Sequence, residues 1–119
     1  MEIAMSKRRV LIVGMGFVLE EGLEVLLAAH TDLQVSEMIF TAEETFVQDV
    51  LRERPDVILF HEAGALTQER IFELLRAVPT EETLRVIILR SSDSAMDIYE
   101  MRRVTATQSN DLLALVRGQ

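Results

Sequence analysis

The stretch Arg54-Pro55-Asp56-Val57-Ile58-Leu59-Phe60-His61-Glu62 constrains this chain more than any other. Val57 to His61 follow a Pro-Asp entry, and all but the last are apolar, without polar alternation. A strand buried on both faces reads this way, and such strands belong to parallel sheets covered by helices. His61 stands where the strand runs out. In open α/β sheets, ligands and chemistry collect outside the carboxyl ends of the strands. His61 therefore occupies a position where a reactive group belongs.

The rest of the chain supplies the partners such a strand needs. Val10-Leu11-Ile12-Val13 is a second apolar, β-branched run, ended by Gly14-Met15-Gly16. A helix is expected over roughly residues 17–29, with Phe17, Val18, Gly22, Leu23, Leu26 and Leu27 inward and Glu20, Glu21 and Glu24 on the other side. Those glutamates suit the positive helix N-terminus. Leu33 to Phe40 alternates loosely and reads as an edge strand. Thr41-Ala42-Glu43-Glu44 has the form of a capping box for a helix carrying Phe46, Val47, Val50 and Leu51 inward, stopped by Pro55. Thr67 opens a helix with Ile71, Phe72, Leu74, Leu75 and Val78 apolar, and Val86-Ile87-Ile88-Leu89 is a further buried strand. After the polar loop Ser91-Ser92-Asp93-Ser94, a short helix is expected over 95–103 with Met96, Tyr99 and Met101 inward. A brief strand follows over 104–107, and then a last helix capped by Ser109-Asn110 and carrying Leu112, Leu113, Leu115 and Val116.

Five strands alternating with five helices call for right-handed crossovers and an α/β fold. The expectation is a five-stranded parallel sheet of order 2-1-3-4-5 with helices on both faces. The 119 residues suffice for one domain, spanning 1–119, with 1–6 expected to be flexible. Acidic residues outnumber basic ones by 20 to 12, for a formal net charge of -8. That speaks against nucleic-acid binding, which needs clustered Lys and Arg. There is no cysteine, hence no disulfide framework or thiolate metal site. The two histidines, His30 and His61, lack carboxylates at the spacing a zinc site needs. Met1 to Ser6 does not read as a signal peptide, and no apolar stretch reaches the length of a spanning helix. A cytoplasmic protein without membrane contact is expected.

Taken in order, Arg9-Val10-Leu11-Ile12-Val13, Glu20-Glu21-Gly22-Leu23, Arg54-Pro55-Asp56-Val57-Ile58-Leu59, Val86-Ile87-Ile88-Leu89 and the closing helix resemble a response-regulator receiver domain of the CheY-like fold. The resemblance covers residues 7–117 and is nearest to receivers that precede a helix-turn-helix output domain. It also shows chemistry missing. Where the family holds magnesium with two acids after the first strand, this chain has Gly14 and Met15. His61 replaces the phosphorylated aspartate, Arg90 the threonine or serine, and Thr107 the lysine; Glu62 begins the loop that follows. Magnesium wants carboxylate and water oxygens in near-octahedral array. Glycine and methionine offer no side-chain oxygen, and Glu62 is the acid adjoining the site. The resemblance thus implies a degenerate pseudo-receiver of two-component signalling: not an enzyme, without metal or cofactor, acting through protein contact.

That contact, with a protein partner or a second copy, is expected on the face formed by the fourth helix, fifth strand and fifth helix, with Met101, Arg102, Arg103 and Val104 as candidates. Arg90 is expected to pair with Glu62, in place of a transient lysine–phosphoaspartate contact. The alternative is a small-ligand or nucleotide sensor using the Gly14–Gly16 turn and a His61/Arg90 pocket, although Leu19 stands where a dinucleotide fingerprint needs its third glycine. Phosphorylation of His61 itself is a third reading, since imidazole nitrogen is a competent nucleophile.

Overall fold

A computed structural model describes residues 7–79, 83–104 and 108–118. The buried apolar runs form the middle of a sheet: β1 (Arg8–Gly14), β3 (Val57–Glu62) and β4 (Leu84–Arg90). β2 (Leu33–Ile39) lies outside β1, and β5 (Met96–Met101) outside β4, giving the order β2-β1-β3-β4-β5. The pairs among β2, β1, β3 and β4 are parallel. Asp56, in the Pro-Asp entry, fixes the start of β3 against β1 by accepting the Arg9 N–H at 2.8 Å.

The sheet is mixed, which corrects the expectation of a fully parallel one: β5 runs antiparallel to β4. The helix expected over 95–103 is not formed, because its residues are this strand. Five residues separate Arg90 from Met96, and a parallel crossover needs a dozen or more. The short connection instead makes a hairpin, with Ser94 at φ 59° and the Asp93 carboxylate accepting the Ala95 N–H at 3.0 Å. Ile98 and Tyr99 also favour the pleated conformation. Tyr99 then meets Phe72 edge-to-face at 5.2 Å between ring centroids. Val104 lies outside any strand, and the remainder of the expected strand, 105–107, falls outside the described residues.

Four helices are present among the described residues. α2 (Glu43–Glu53) and α3 (Gln68–Ala77) cover one face of the sheet. Phe46, Leu66, Ile71 and Leu74 are buried there against Leu11, Val13, Ile58, Phe60 and Ile88. Thr67 caps α3 as expected, its hydroxyl accepting from the Arg70 N–H at 3.2 Å. The box expected at Thr41 is not made: the N-cap of α2 is Ala42, with no side-chain cap bond, and Leu51 is exposed. α2 ends on Arg54 in the left-handed region at φ 47°, one residue before Pro55.

α1 (Val18–Ala28) covers the other face, over β1 and β2. Leu23 and Leu27 rest on Val10, Ile12, Val57 and Leu59. The helix is turned from its expected orientation: Glu20 is buried, while Val18, at 82 % exposure, and Leu26 face outward. Residues 20, 23 and 27 share one face at helical spacing. Apolar residues stand on both sides of this helix, so periodicity alone does not choose. α4 (Ser109–Val116) begins after Gln108 rather than on Ser109-Asn110, and none of its residues is buried. No helix among the described residues is long and apolar enough to cross a membrane.

Candidate functional site

Alternation along β3 places residues 57, 59 and 61 on the α1 side of the sheet. His61 is thereby brought under the N-terminus of α1, where it is 4 % exposed. The third residue of that helix is Glu20. Its Oε1 reaches back to accept the N–H groups of Gly16 at 2.8 Å and Phe17 at 3.1 Å. This is the glutamate half of a capping box, satisfying N–H groups that the helix start leaves without partners. Phe17, as N-cap, has no oxygen with which to complete the other half. Its ring instead stands edge-to-face to His61, with centroids 5.8 Å apart.

The second carboxylate oxygen, Oε2, lies 2.5 Å from His61 Nδ1. Burial by itself raises the Glu20 carboxyl, but the hydrogen bonds from His61, Gly16 and Phe17 and the charge of His61 bring it below its ordinary value. An ionised carboxylate has no proton to give, so Nδ1 carries the hydrogen and donates it. Gly14 makes room for this arrangement: a Cβ there would stand 2.0 Å from Glu20 Oε1. Gly16, at φ +88°, supplies the turn that aims its N–H at the carboxylate.

The space that Gly14 leaves at the end of β1 is thus filled from within. Glu20 arrives from the helix rather than from the strand end, and its oxygens are committed to two amides and one imidazole. A pair of carboxylates lies nearby, where Glu37 of β2 faces α1. Its hydrogen bond with Glu24, then partial burial and the charges of Glu24, Glu21 and Glu20, push it up to about 7. Among the described residues, no group of three or more His, Asp or Glu side chains can hold a metal ion.

No family model, curated protein or solved structure matches this chain.

The other expected residues are dispersed. Glu62 and Arg90 are aligned in register on the α2/α3 side of the sheet, opposite to His61, so His61 and Arg90 do not line one pocket. Arg90 pairs with Asp93 at 3.2 Å and Asp97 at 3.7 Å, the acids of its own hairpin, and not with Glu62. Glu62 Oε2 is buried with no hydrogen-bond partner. Met15 packs against the α2/α3-side core, and Thr107 lies outside the described residues.

Of the expected contact residues, Met101 is half-buried against that same core, while Arg102 and Val104 are exposed. The Arg103 guanidinium is occupied: it donates to the carbonyls of Leu75, Arg76 and Val78 at the end of α3. Glu20 is the residue that sequence reasoning passed over. The available signal was an acid four residues beyond Gly16 and three beyond Phe17, able to bond back to both.

Proposed function

We propose that this chain is a non-catalytic, receiver-like contact module, a degenerate pseudo-receiver whose phosphorylation pocket has become a fixed internal joint. The observation carrying this reading is the Glu20 carboxylate, held by Gly16, Phe17 and His61 in the space Gly14 leaves open. A phosphoryl-transfer site needs oxygens free for a divalent cation. Glu20 offers none that is uncommitted, and His61 has no open route to a phosphodonor. The strand order β2-β1-β3-β4-β5 accords with a receiver, although the antiparallel β5 departs from the parallel arrangement. Exposed Val18, Val25 and Leu26 on the outer face of α1 suit a module that works by touching other proteins.

Ligand sensing is the second reading, with less beneath it. The space beside Gly14 holds a carboxylate, which repels a phosphate, and His61 and Arg90 point to opposite faces. Incubation with a small phosphodonor and Mg²⁺, followed by intact mass, separates these cases. The contact module stays at its unmodified mass; a stoichiometric phosphoryl adduct on His61 or elsewhere refutes it. A thermal shift with a nucleotide transfers support to ligand sensing.

A further inference from the structure

The hairpin that turns residues 96–101 into β5 leaves α3 and β5 facing one another across an open groove of about 430 Å³. Val86 lies at its base on the α2/α3 side of the sheet, and strand alternation brings Tyr99, the register partner of Val86, and Met101 to the same side. From α3, Phe72 and Leu75 stand one turn apart and line the groove opposite them. Apolar clefts of roughly 300–1,000 Å³ take small molecules. A specific protein interface needs about 20–30 residues a side, a good deal more than line this groove.

The groove has a cationic rim. Arg76 follows Leu75 on α3, Arg102 follows Met101, and both line the groove. Arg103 donates to the Arg76 carbonyl at 2.7 Å, which holds the backbone of its neighbour Arg102 beside the end of α3. The side chains of Arg76 and Arg102 are exposed and have no bonding partner among the described residues. The arginines of β4, by contrast, are held by acids: Arg85 by Glu100 at 2.9 Å, and Arg90 by Asp93 and Asp97. Glu100, an acid that also lines the groove, is therefore already neutralised. The Tyr99 hydroxyl likewise has no hydrogen-bond partner among the described residues. A guanidinium presents a planar fork of donors that matches a carboxylate. Two such forks left unpaired beside an apolar groove, in a chain of formal net charge -8, form a local site for an anion.

We propose that this groove binds a small carboxylate with an apolar body, aliphatic or aryl. The body lies on Val86 between the α3 wall and the β5 wall, and the carboxylate meets Arg76 and Arg102. Burial of the body supplies the affinity, and the charged head fixes the orientation. A bare anion has nothing to bury, and a neutral molecule of the same shape forfeits the charge-assisted bonds. The groove lies on the face of the sheet opposite to His61 and Glu20. Ligand binding there is a function beyond the contact module, and it leaves the closed joint under α1 untouched.

The test is titration of the whole isotope-labelled chain with phenylbutyrate, read from amide chemical shifts. Saturable shifts are expected at residues 72–76 and 99–102, with a dissociation constant on the order of 1 mM or tighter. Phenylbutanol, the same body without the charge, is expected to bind about tenfold more weakly, and acetate to leave those amides unmoved. Arg76→Ala and Arg102→Ala, both at exposed positions, are each expected to weaken phenylbutyrate by about three- to tenfold. Neither should change the circular dichroism spectrum or the binding of the alcohol. The absence of any saturable shift overturns the proposal. So does an alcohol that binds as tightly as the acid, a pair of arginine variants that bind like wild type, or shifts centred on the exposed apolar residues of α1 or α4. The outcome bears on this groove alone; the contact-module reading stands or falls on the phosphodonor experiment.

Discussion

The Glu20 carboxylate stands 2.5 Å from the imidazole Nδ1 of His61, and its other oxygen holds the Gly16 and Phe17 N–H groups. One side chain thereby joins the end of β3 to the start of α1. Removing it leaves the buried imidazole without its partner, a desolvation cost without return, and gives up two bonds to amides at the exposed start of α1. Glu20→Ala is expected to lower stability by about 2–4 kcal/mol, read from urea unfolding. Glu20→Gln keeps an acceptor for the amides and is expected to cost less.

The same carboxylate makes an acid-labile contact. Its folded value lies below its ordinary one, whereas in the unfolded chain a glutamate titrates near ~4.3. The stabilisation is therefore complete above the unfolded value and lost as pH falls through the folded one. The wild-type chain is expected to lose stability steeply below about pH 4. Glu20→Gln should flatten that limb in urea midpoints measured across acidic pH. An unchanged slope would show that Glu20 is not the group responsible.

Gly14 and Glu20 are expected to be coupled. A methyl group at 14 overlaps Oε1 and forces the carboxylate off its amides and His61. Gly14→Ala should cost roughly what Glu20→Ala costs, since both break the same contacts. In the Glu20→Ala background the added methyl has space, and the second loss should be much smaller. A double-mutant cycle with a coupling of about 1–3 kcal/mol is expected; additive losses would sink this account.

The buried strands were legible because Val10–Val13, Val57–Phe60 and Val86–Leu89 are unbroken apolar runs, and that pattern depends little on context. Residues 95–103 were not. Met96, Tyr99 and Met101 fit a helical stripe, but the short connection after Arg90 made a hairpin and turned them into strand. Local spacing does not reveal which sheet edge is free to be paired. The rotation of α1 was hidden for a related reason, since apolar residues lie on both sides of the helix. What fixes the rotation is Glu20 finding His61, a contact across 41 positions that no local pattern encodes. At the site, His61 and Gly14 were visible as positions, while the residue that unites them was assigned to solvent.

Glu37 is expected to give the opposite pH dependence. The folded chain holds its proton up to about 7, whereas the unfolded chain releases it near ~4.3. Between those values the folded state binds a proton that the unfolded state has lost. Stability from this group is full below the lower value and falls as pH rises through the upper one. Glu37→Gln keeps a neutral hydrogen-bonding partner beside Glu24. It should raise stability at about pH 8 by on the order of 1 kcal/mol, solvent screening included, and the melting temperature by about 3–6 °C. Near pH ~4 it should change little. An equal gain at both pH values would exclude the shared proton.

Arg103 is expected to be worth more than its position after the last strand suggests. The end of α3 leaves carbonyls without intrahelical donors, and they carry the negative end of the helix dipole. The Arg103 fork meets the carbonyls of Arg76 and Val78 and that of Leu75, which also accepts the Val78 N–H at 3.2 Å. Arg103→Ala should cost about 1–3 kcal/mol and speed amide exchange in the last turn of α3. Lysine carries the charge but lacks the planar fork, so Arg103→Lys should recover part of the loss and not all of it. Its neighbour Arg102 is the control: it is exposed and has no bonding partner among the described residues, so Arg102→Ala should stay within about 0.5 kcal/mol of wild type. Equal losses at 102 and 103 would mean that general charge, rather than this three-carbonyl clasp, secures the chain beyond β5.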